Sequence, residues 1–318
     1  MKLNIKKLFQ KTLNIDSIDS ESEKPLSQNV QKISHLTEFR IQSSKIKIFP
    51  LESRENYPGN YSQYLSKTLT DISKLKDINF EYALEDPKIN EGVPKLSFDK
   101  KILVLDLDET LIHADFEEEF SPEEYDTIIK FKDKNEDEEN EKNVEDTDST
   151  CGNLSEVEED ESHSVGIFVR KGVKHFLEEV NKYFEVGIFT ASVKEYADAV
   201  ISFLDPENKL IKFRLYRNNC INFNNTFTVK DLRIFKNVDL KKIVLIDNSM
   251  YSFAPQINNG ILINSFINDK EDNELYNALE YLKNFILPAE DVREVNEQFF
   301  NFRQIIDGII NVNKLKKD

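Results

Sequence analysis

The chain has 318 residues and a formal net charge of −17, and its length is that of two domains or of one domain with long tails. A uniformly acidic surface would argue against direct nucleic-acid binding, which depends on Lys and Arg. Only two cysteines, no signal-peptide pattern and no apolar run near the roughly 18 residues of a membrane span indicate a reduced cytosolic or nuclear protein without such a span.

Residues 1–98 carry no chemical motif, and we interpret them as a partly disordered N-terminal extension of a main domain at 99–318. Ser17–Ser27 is rich in Ser, Asp and Glu, which is typical of a loop or of disorder. Lys45–Phe49 alternates polar and apolar residues as a short strand does, and Tyr64–Ile78 has loose helical spacing. We therefore expect the extension to be ordered in part, against the main domain.

Three short, unbroken apolar runs in the main domain predict strands that are buried on both faces, as in a parallel sheet. Each run ends in a polar side chain, and the runs are Lys101–Asp106, Phe184–Thr190 and Lys242–Asp247. Helical patterns lie between them, over Val173–Tyr183 and over Val193–Leu204. This alternation predicts a Rossmann-like α/β fold, in which a parallel sheet is flanked by helices.

Local signals mark the ends of several helices. Ser192 and Glu195 have the spacing of a capping box, so we expect the Ser192 side chain to cap the helix that begins at Val193. Farther along, Leu275–Ile310 has the pattern of two amphipathic helices split near Pro288. These two helices are expected to cover the core.

An insertion follows the first core strand. Within it, Tyr125–Phe131 and Val165–Val169 have the pattern of short strands that pair as a hairpin. The tract 132–162 would form the tip, and it lacks the apolar content to order itself. Residues 115–162 hold 21 acidic and four basic residues, so this segment carries the entire net charge of −17. We expect a small β-hairpin cap that carries a disordered acidic insertion.

Asp106 and Asp108 follow the first core strand and form the central chemical signal. Residues two apart in an extended chain point to the same side, so both carboxylates can converge at the edge of the sheet where ligands of open α/β folds bind. Two close carboxylates can take different roles when one is protonated and the other ionised, and Asp108 could then be a general acid. The spacing alone is equally consistent with a solvated turn.

Other polar residues at the same edge suit a phosphoryl group. Thr190 and the amides after it can donate to phosphate oxygens, and Lys230 supplies a positive charge. Asp247 and Asn248 add hard oxygen ligands, which together with Asp106 suit Mg²⁺. Taken singly, Thr190 could start a helix and Lys230 could form a surface ion pair with the next residue. Their order along the chain favours phosphoryl transfer.

The ordered motifs resemble those of the haloacid-dehalogenase superfamily, in the branch of small phosphatases that act on the RNA polymerase II C-terminal domain. The resemblance rests on DLDETLIH at 106–113, FTAS at 189–192, VKDL at 229–232 and DNS at 247–249. It runs from about residue 100 to residue 303, roughly two-thirds of the chain. It implies a Mg²⁺-dependent phosphoserine and phosphothreonine phosphatase in the nucleus or cytoplasm, acting on the polymerase tail or another phosphoprotein.

The resemblance also implies roles for individual residues. Asp106 would be the nucleophile that forms an aspartyl-phosphate, and Asp108 would protonate the leaving oxygen. Thr190 and Lys230 would hold the phosphoryl oxygens. The implied Mg²⁺ ligands are Asp106, Asp108, Asp247 and Asn248, and the implied substrate-binding residues are Thr110, Ser192 and Arg217.

The sequence departs from the family pattern without losing a catalytic position. Lys171 stands in place of the proline of an Arg-Pro-Gly turn, and Met250 in place of a proline after Asn-Ser. Cys220–Lys230 is about one residue longer than in relatives, and Asn222–Asn225 lacks the usual His-Arg, which leaves the substrate open. Cys220 itself is expected to be a packing residue. The alternative function is a non-catalytic or weakly catalytic binding scaffold on the same fold.

Overall fold

The computed structural model describes residues 61–75, 80–96, 99–116, 122–132, 162–223 and 227–315. The predicted strand at Lys45–Phe49 and the acidic tract over 133–161 lie outside these ranges, so the expected disorder of the insertion stays a prediction. No helix within the described ranges is long and apolar enough to cross a membrane.

Ten strands and six α-helices occur in the described ranges, and they are labelled in chain order. The strands are β1 (Lys101–Leu105), β2 (Ile112–Asp115), β3 (Thr127–Lys132), β4 (Ser162–Val169), β5 (Phe184–Phe189), β6 (Phe213–Leu215), β7 (Ile221–Phe223), β8 (Phe227–Val229), β9 (Ile243–Asp247) and β10 (Gly260–Leu262). The helices are α1 (Tyr61–Leu75), α2 (Val173–Asn181), α3 (Lys194–Leu204), α4 (Glu274–Tyr281), α5 (Val292–Phe300) and α6 (Phe302–Leu315).

Five parallel strands form the central sheet, in the order β10-β9-β1-β5-β6. Leu103 of β1 lies opposite Val186 of β5 on one side and opposite Val244 of β9 on the other. These three inner strands are the three predicted apolar runs, and the predicted α/β fold with a helix-flanked parallel sheet is confirmed. The sequence analysis missed the edge strands β6 and β10, because three residues are too few for a recognisable apolar run.

Alternate residues of β1 face two separate apolar layers. Leu103 and Leu105 belong to the layer that contains residues of α2, α3 and α4. Ile102 and Val104 belong to the layer that contains residues of α1 and α6. Because helices cover both faces of the sheet, all four side chains are almost completely buried. Burial on both faces is the reason that the strand is an unbroken apolar run.

The cap is a small antiparallel sheet in the order β2-β4-β3. The predicted hairpin is confirmed, since β3 and β4 pair with Ile129 opposite Val165. The third strand, β2, pairs with the other edge of β4, where Ile112 lies opposite Val169. Strand β2 was not predicted, because it has only four residues. The first two end the DLDETLIH motif, and the other two follow it directly. Helix α3 packs against β3, so the cap stands close to the carboxyl edge of the central sheet.

Helix α1 comes from the N-terminal extension and packs against α6. Leu69 and Ile72 are buried in the same apolar layer as Ile306 and Ile309. The helical spacing noted over Tyr64–Ile78 therefore overlaps a helix of the structure. The apolar core therefore includes residues of α1, which precede the main domain predicted at 99–318.

The C-terminal region differs from the prediction of two helices split near Pro288. Helix α4 continues as a wider π-helical turn over Leu282–Ile286 before that proline, and a second break at Asn301 separates α5 from α6. Asn301 has a φ of 58°, in the left-handed region that Asn tolerates better than most residues. The expected number of helices was wrong, because an Asn inside an amphipathic pattern was not treated as a helix end.

Candidate active site

Asp106 lies just beyond the end of β1, at the carboxyl edge of the sheet. Its backbone N–H donates to the carbonyl oxygen of Ile246 at 3.0 Å, which continues the pairing between β1 and β9 past the last strand residue. Leu107 is completely buried, so the chain stays extended long enough for Asp106 and Asp108 to stand on the same side. Parallel pairing thus fixes the position of Asp106 relative to β9.

Lys230 forms buried ion pairs with two carboxylates. Its Nζ lies 2.5 Å from Oδ1 of Asp106 and 2.7 Å from Oδ2 of Asp247, the last residue of β9. The backbone N–H of Lys230 donates to the Ser252 carbonyl at 2.7 Å, which anchors the residue just after β8. The alternative of a surface ion pair with the next residue is wrong, because that residue, Asp231, bonds to its own turn instead.

The ion-pair cluster holds more negative than positive charge. Burial is the largest effect on the pKa of Asp106 and the nearby charge of Asp247 is the next; together, and against the opposing effect of Lys230, they raise this pKa to about 7. Burial alone would lower the pKa of Lys230, but the two carboxylates raise it, so its ammonium group stays charged. With both carboxylates ionised, one ammonium group leaves a net charge of −1. A divalent cation would offset this excess.

Thr110 and Glu109 shape the turn that follows β1 and Asp106. The Thr110 hydroxyl is fully buried and donates to Oδ2 of Asp106 at 3.1 Å. Glu109 has a φ of 53°, a left-handed conformation that an L-residue adopts only where its surroundings hold it. Both oxygens of Asp106 therefore have fixed donors, Lys230 on one and Thr110 on the other.

Arg170 supports this turn from behind, and the sequence analysis gave it no role. Its side chain is completely buried, and its Nη1 donates to the Thr110 carbonyl at 2.9 Å. Nη2 donates to the Asn264 carbonyl at 2.7 Å. The Asp272 carboxylate accepts two further hydrogen bonds, from Nε at 2.9 Å and from Nη2 at 2.7 Å. Arg170 therefore links the turn that contains Thr110 to a segment about a hundred residues away.

Asp108 accepts hydrogen bonds from hydroxyl groups of the loop after β5 and of α3. Ser192 Oγ donates to Oδ2 at 2.7 Å, and the Tyr196 hydroxyl donates to Oδ1 at 2.6 Å. Thr190 Oγ1 lies farther away, 3.4 Å from Oδ2, and accepts from the Ser192 amide at 3.0 Å. Burial raises the pKa of Asp108, and the bonds from Tyr196 and Ser192 offset part of that rise.

The predicted capping box at Ser192 is wrong. The helix begins after Val193, which makes no side-chain cap, and the Ser192 hydroxyl bonds to Asp108 instead. A capping box pairs residues within a few positions of each other, whereas Asp108 lies 84 positions before Ser192. Ser192 therefore belongs to the group of side chains that contact Asp108.

Tyr196, which lies on the helix after the FTAS motif, had no predicted role and contacts Asp108. Burial and the charge of Asp108 raise its pKa far above the usual range, so its hydroxyl stays protonated and donates. Tyr196→Phe should lower the turnover of a phosphate ester about tenfold, since it removes one hydrogen bond to a charged group. Steady-state kinetics would check this. The matched control is Tyr216→Phe, whose hydroxyl bonds to Asp198 instead, and an equal loss in both variants would contradict the role of Tyr196.

Two further predicted residues lie around this cluster. Arg217 is exposed at the rim, where its Nε donates to the Ala191 carbonyl at 2.8 Å. Cys220 is buried, with its Sγ 3.5 Å from the Thr190 carbonyl oxygen, and burial raises the pKa of its thiol to about 12. A thiol that stays protonated is a poor nucleophile, which agrees with the packing role expected for Cys220.

The donor set at the sheet edge suits a hard divalent cation. Among the described residues, no three His, Cys, Asp or Glu side chains form a metal-binding group. The predicted ligands need only two side-chain carboxylates, Asp106 and Asp247, with the main-chain carbonyl of Asp108 and the amide of Asn248. Asn248 directs its Nδ2 to Ser265 Oγ at 3.1 Å, which leaves its amide oxygen available as a ligand. The oxygen chemistry and the excess negative charge both fit Mg²⁺.

Comparisons with known proteins show which proteins this chain resembles. The chain is 35% identical over 222 residues to CTD small phosphatase-like protein 2 of Dictyostelium discoideum, a match that covers 69% of this chain and 32% of that protein. It is 34% identical over 198 residues to CTD nuclear envelope phosphatase 1B of Danio rerio, which covers 62% of this chain and 71% of that protein. The chain thus spans about a third of the length of the Dictyostelium relative.

A solved fission yeast RNA polymerase II CTD phosphatase, bound to beryllium fluoride, overlaps 69% of this chain and 54% of its own, with a TM-score of 0.36 and 17% identity. The family model described as NLI interacting factor-like phosphatase matches residues 101–293, more than half of the chain. The resemblance to phosphatases of this type is confirmed by that match. The chain belongs to the NLI interacting factor-like phosphatase family.

Proposed function

We propose that this chain is a Mg²⁺-dependent protein serine/threonine phosphatase that works through an aspartyl-phosphate on Asp106. The observation that carries the proposal is the buried contact of Lys230 with Asp106 and Asp247, with the Asp108 carboxyl group held two residues further on. Phosphoryl transfer needs positioning and positive charge more than covalent chemistry, and this cluster supplies both.

The first half-reaction transfers the phosphoryl group to the enzyme. An Asp106 carboxylate oxygen attacks phosphorus, a new bond forms between that oxygen and phosphorus, and the bond to the serine or threonine oxygen breaks. Asp108 gives its proton to the leaving oxygen, so the alcohol departs neutral. Lys230 and Thr190 hold the phosphoryl oxygens during the transfer. The hydroxyls of Ser192 and Tyr196 keep the Asp108 carboxyl group in place.

The second half-reaction returns the enzyme to its starting state. A water molecule attacks phosphorus, and Asp108 takes the proton that the water loses. The bond between phosphorus and the Asp106 oxygen breaks, and inorganic phosphate leaves. Atoms and charges balance, because Asp108 regains the proton that it gave and Asp106 regains its carboxylate.

Asp106, the Asp108 carbonyl, Asp247 and Asn248 would hold Mg²⁺. The ion supplies positive charge that offsets the crowded carboxylates and the incoming phosphate. Turnover of an aryl phosphate ester should fall to the background rate in EDTA and return when excess Mg²⁺ is added. Initial rates with matched buffer blanks measure this, and full turnover in EDTA would contradict the metal requirement.

The substrate is proposed to be a phosphoprotein, such as the polymerase C-terminal domain, in the nucleus. The names of the relatives support this class. Phosphoserine peptides, including heptads of the polymerase tail, would be compared with sugar phosphates by kcat/KM. Preference for a sugar phosphate over every peptide would reject the phosphoprotein class.

A further inference from the structure

The segment Phe80–Leu96 precedes the region matched by the family model and packs beside the turn that carries Arg217. Phe80 and Leu96 are buried in the apolar layer that also holds Cys220 and Ile221. The Phe80 ring meets the ring of Phe223 edge to face, with their centroids 6.0 Å apart. The segment is therefore part of the packing around the chain from residue 217 to residue 223.

Asn219 is the polar link between this segment and the turn. Its Nδ2 donates to the carbonyl oxygens of Ile89 at 2.8 Å and Glu91 at 2.9 Å. Its Oδ1 accepts from the Tyr216 amide at 2.9 Å, and its own amide donates to the Tyr216 carbonyl at 2.9 Å. Asn219 is only 4% exposed, so these bonds form with little competition from water.

Arg217 lies inside the turn that Asn219 closes. The Arg217 amide donates to the Ser192 carbonyl at 3.0 Å, and its guanidinium Nε donates to the Ala191 carbonyl at 2.8 Å. The same loop carries the Ser192 hydroxyl that bonds to Asp108. Hydrogen bonds therefore link residues 89–91 to Asn219 and Asn219 to Tyr216, and the next residue along the backbone, Arg217, bonds to the loop beside the general acid.

We propose that Asn219 is a positioning residue and that, by docking on residues 89–91, it holds Arg217 in place to receive an extended phosphopeptide. The inference rests on the proposed function and deepens it, because it assigns part of the peptide-binding surface to a segment before the family region. A small phosphate ester engages the Asp106 cluster without reaching the rim. Loss of the link should therefore affect peptides more than small esters.

The test compares Asn219→Asp with Asn218→Asp in the full chain. Both changes introduce a carboxylate within two residues of Arg217, but only the first removes the donor to Ile89 and Glu91, since Asn218 is exposed. We expect the ratio of kcat/KM for a phosphoserine peptide to kcat/KM for para-nitrophenyl phosphate to fall about tenfold more in Asn219→Asp. Asn219→Ser, which loses the donors without adding charge, should show the same direction.

A double-mutant comparison tests whether the effect passes through Arg217. In an Arg217→Ala background, Asn219→Asp should lower the ratio no further than Asn218→Asp does. Equal ratios for the two single variants would overturn the inference, as would an undiminished difference in the Arg217→Ala background. Absence of any turnover by the wild-type chain would instead count against the proposed function.

Amide hydrogen exchange gives a readout that does not depend on activity. The Arg217 amide donates to the Ser192 carbonyl, and the Cys220 amide donates to the Arg217 carbonyl. Exchange of both amide hydrogens should therefore be slow in the wild-type chain. Asn219→Asp and Asn219→Ser should speed exchange at residues 216–220 and 89–91, while Asn218→Asp should not. Unchanged exchange in folded Asn219 variants would overturn the inference even if the enzyme proved inactive.

Discussion

Asp106→Asn should lower turnover of a phosphate ester by about 10⁴-fold or more, the scale seen when a nucleophile is removed from an enzyme. An amide has the shape of the carboxylate but cannot form the acyl-phosphate bond. It also removes one of the two negative charges that face Lys230. Initial-rate kinetics with Mg²⁺ present measure the effect, and a thermal melt establishes that the variant is folded.

The matched control for this change is Asp205→Asn. Asp205 is as well buried as Asp106, but its carboxylate accepts from the backbone amides of Lys209, Leu210 and Ile211 at the end of α3. We expect this control to lose stability and to keep its turnover once folded. Full activity in Asp106→Asn would remove Asp106 as the nucleophile, and equal losses in the two variants would attribute the effect to folding.

Arg170→Met should destabilise the folded chain by about 3–5 kcal/mol, the usual cost of removing one partner from a buried ion pair. The substitution leaves the Asp272 carboxylate without its two-point partner and the Thr110 and Asn264 carbonyls without a donor. Urea unfolding followed by circular dichroism would measure the loss. Turnover should fall as well, because the Thr110 turn holds Asp106.

Two further variants test whether the buried contacts of Arg170 cause the loss of stability. Lys171→Met makes the same chemical change at the next, exposed residue, where we expect an effect within about 0.5 kcal/mol. Arg170→Lys keeps the charge but not the planar set of donors, and it should recover only part of the stability. A loss in Arg170→Met no larger than in Lys171→Met would show that the buried contacts contribute little.

The inner strands of the central sheet could be predicted because the pattern that marks each of them lies in a few consecutive residues. A strand covered on both faces needs an unbroken apolar run, and Lys101–Leu105 and Ile243–Asp247 have one. The edge strands have three residues each, so no run was available to detect. The Asn301 break was missed for a similar reason, since one left-handed residue does not interrupt an amphipathic pattern.

Side chains that act over long sequence distances could not be predicted in the same way. Arg170 meets Asp272 and Thr110 only when strands and cap are assembled, and no spacing in the sequence records that meeting. Tyr196 has the position of an ordinary core residue on α3, and its hydroxyl meets Asp108 through the fold alone. The candidate residues at strand ends were easier, because parallel strands bring their carboxyl ends to one edge.

The apolar layer that includes residues of α1 and α6 affects the choice of limits for a recombinant fragment. The family match runs over residues 101–293, so it contains neither of these helices. A fragment cut at those limits would lose Leu69, Ile72, Ile306 and Ile309 from this layer and would expose apolar side chains that pack with them, and exposed apolar patches of that kind promote association. We therefore expect residues 61–315 to form a more soluble recombinant fragment than residues 101–293.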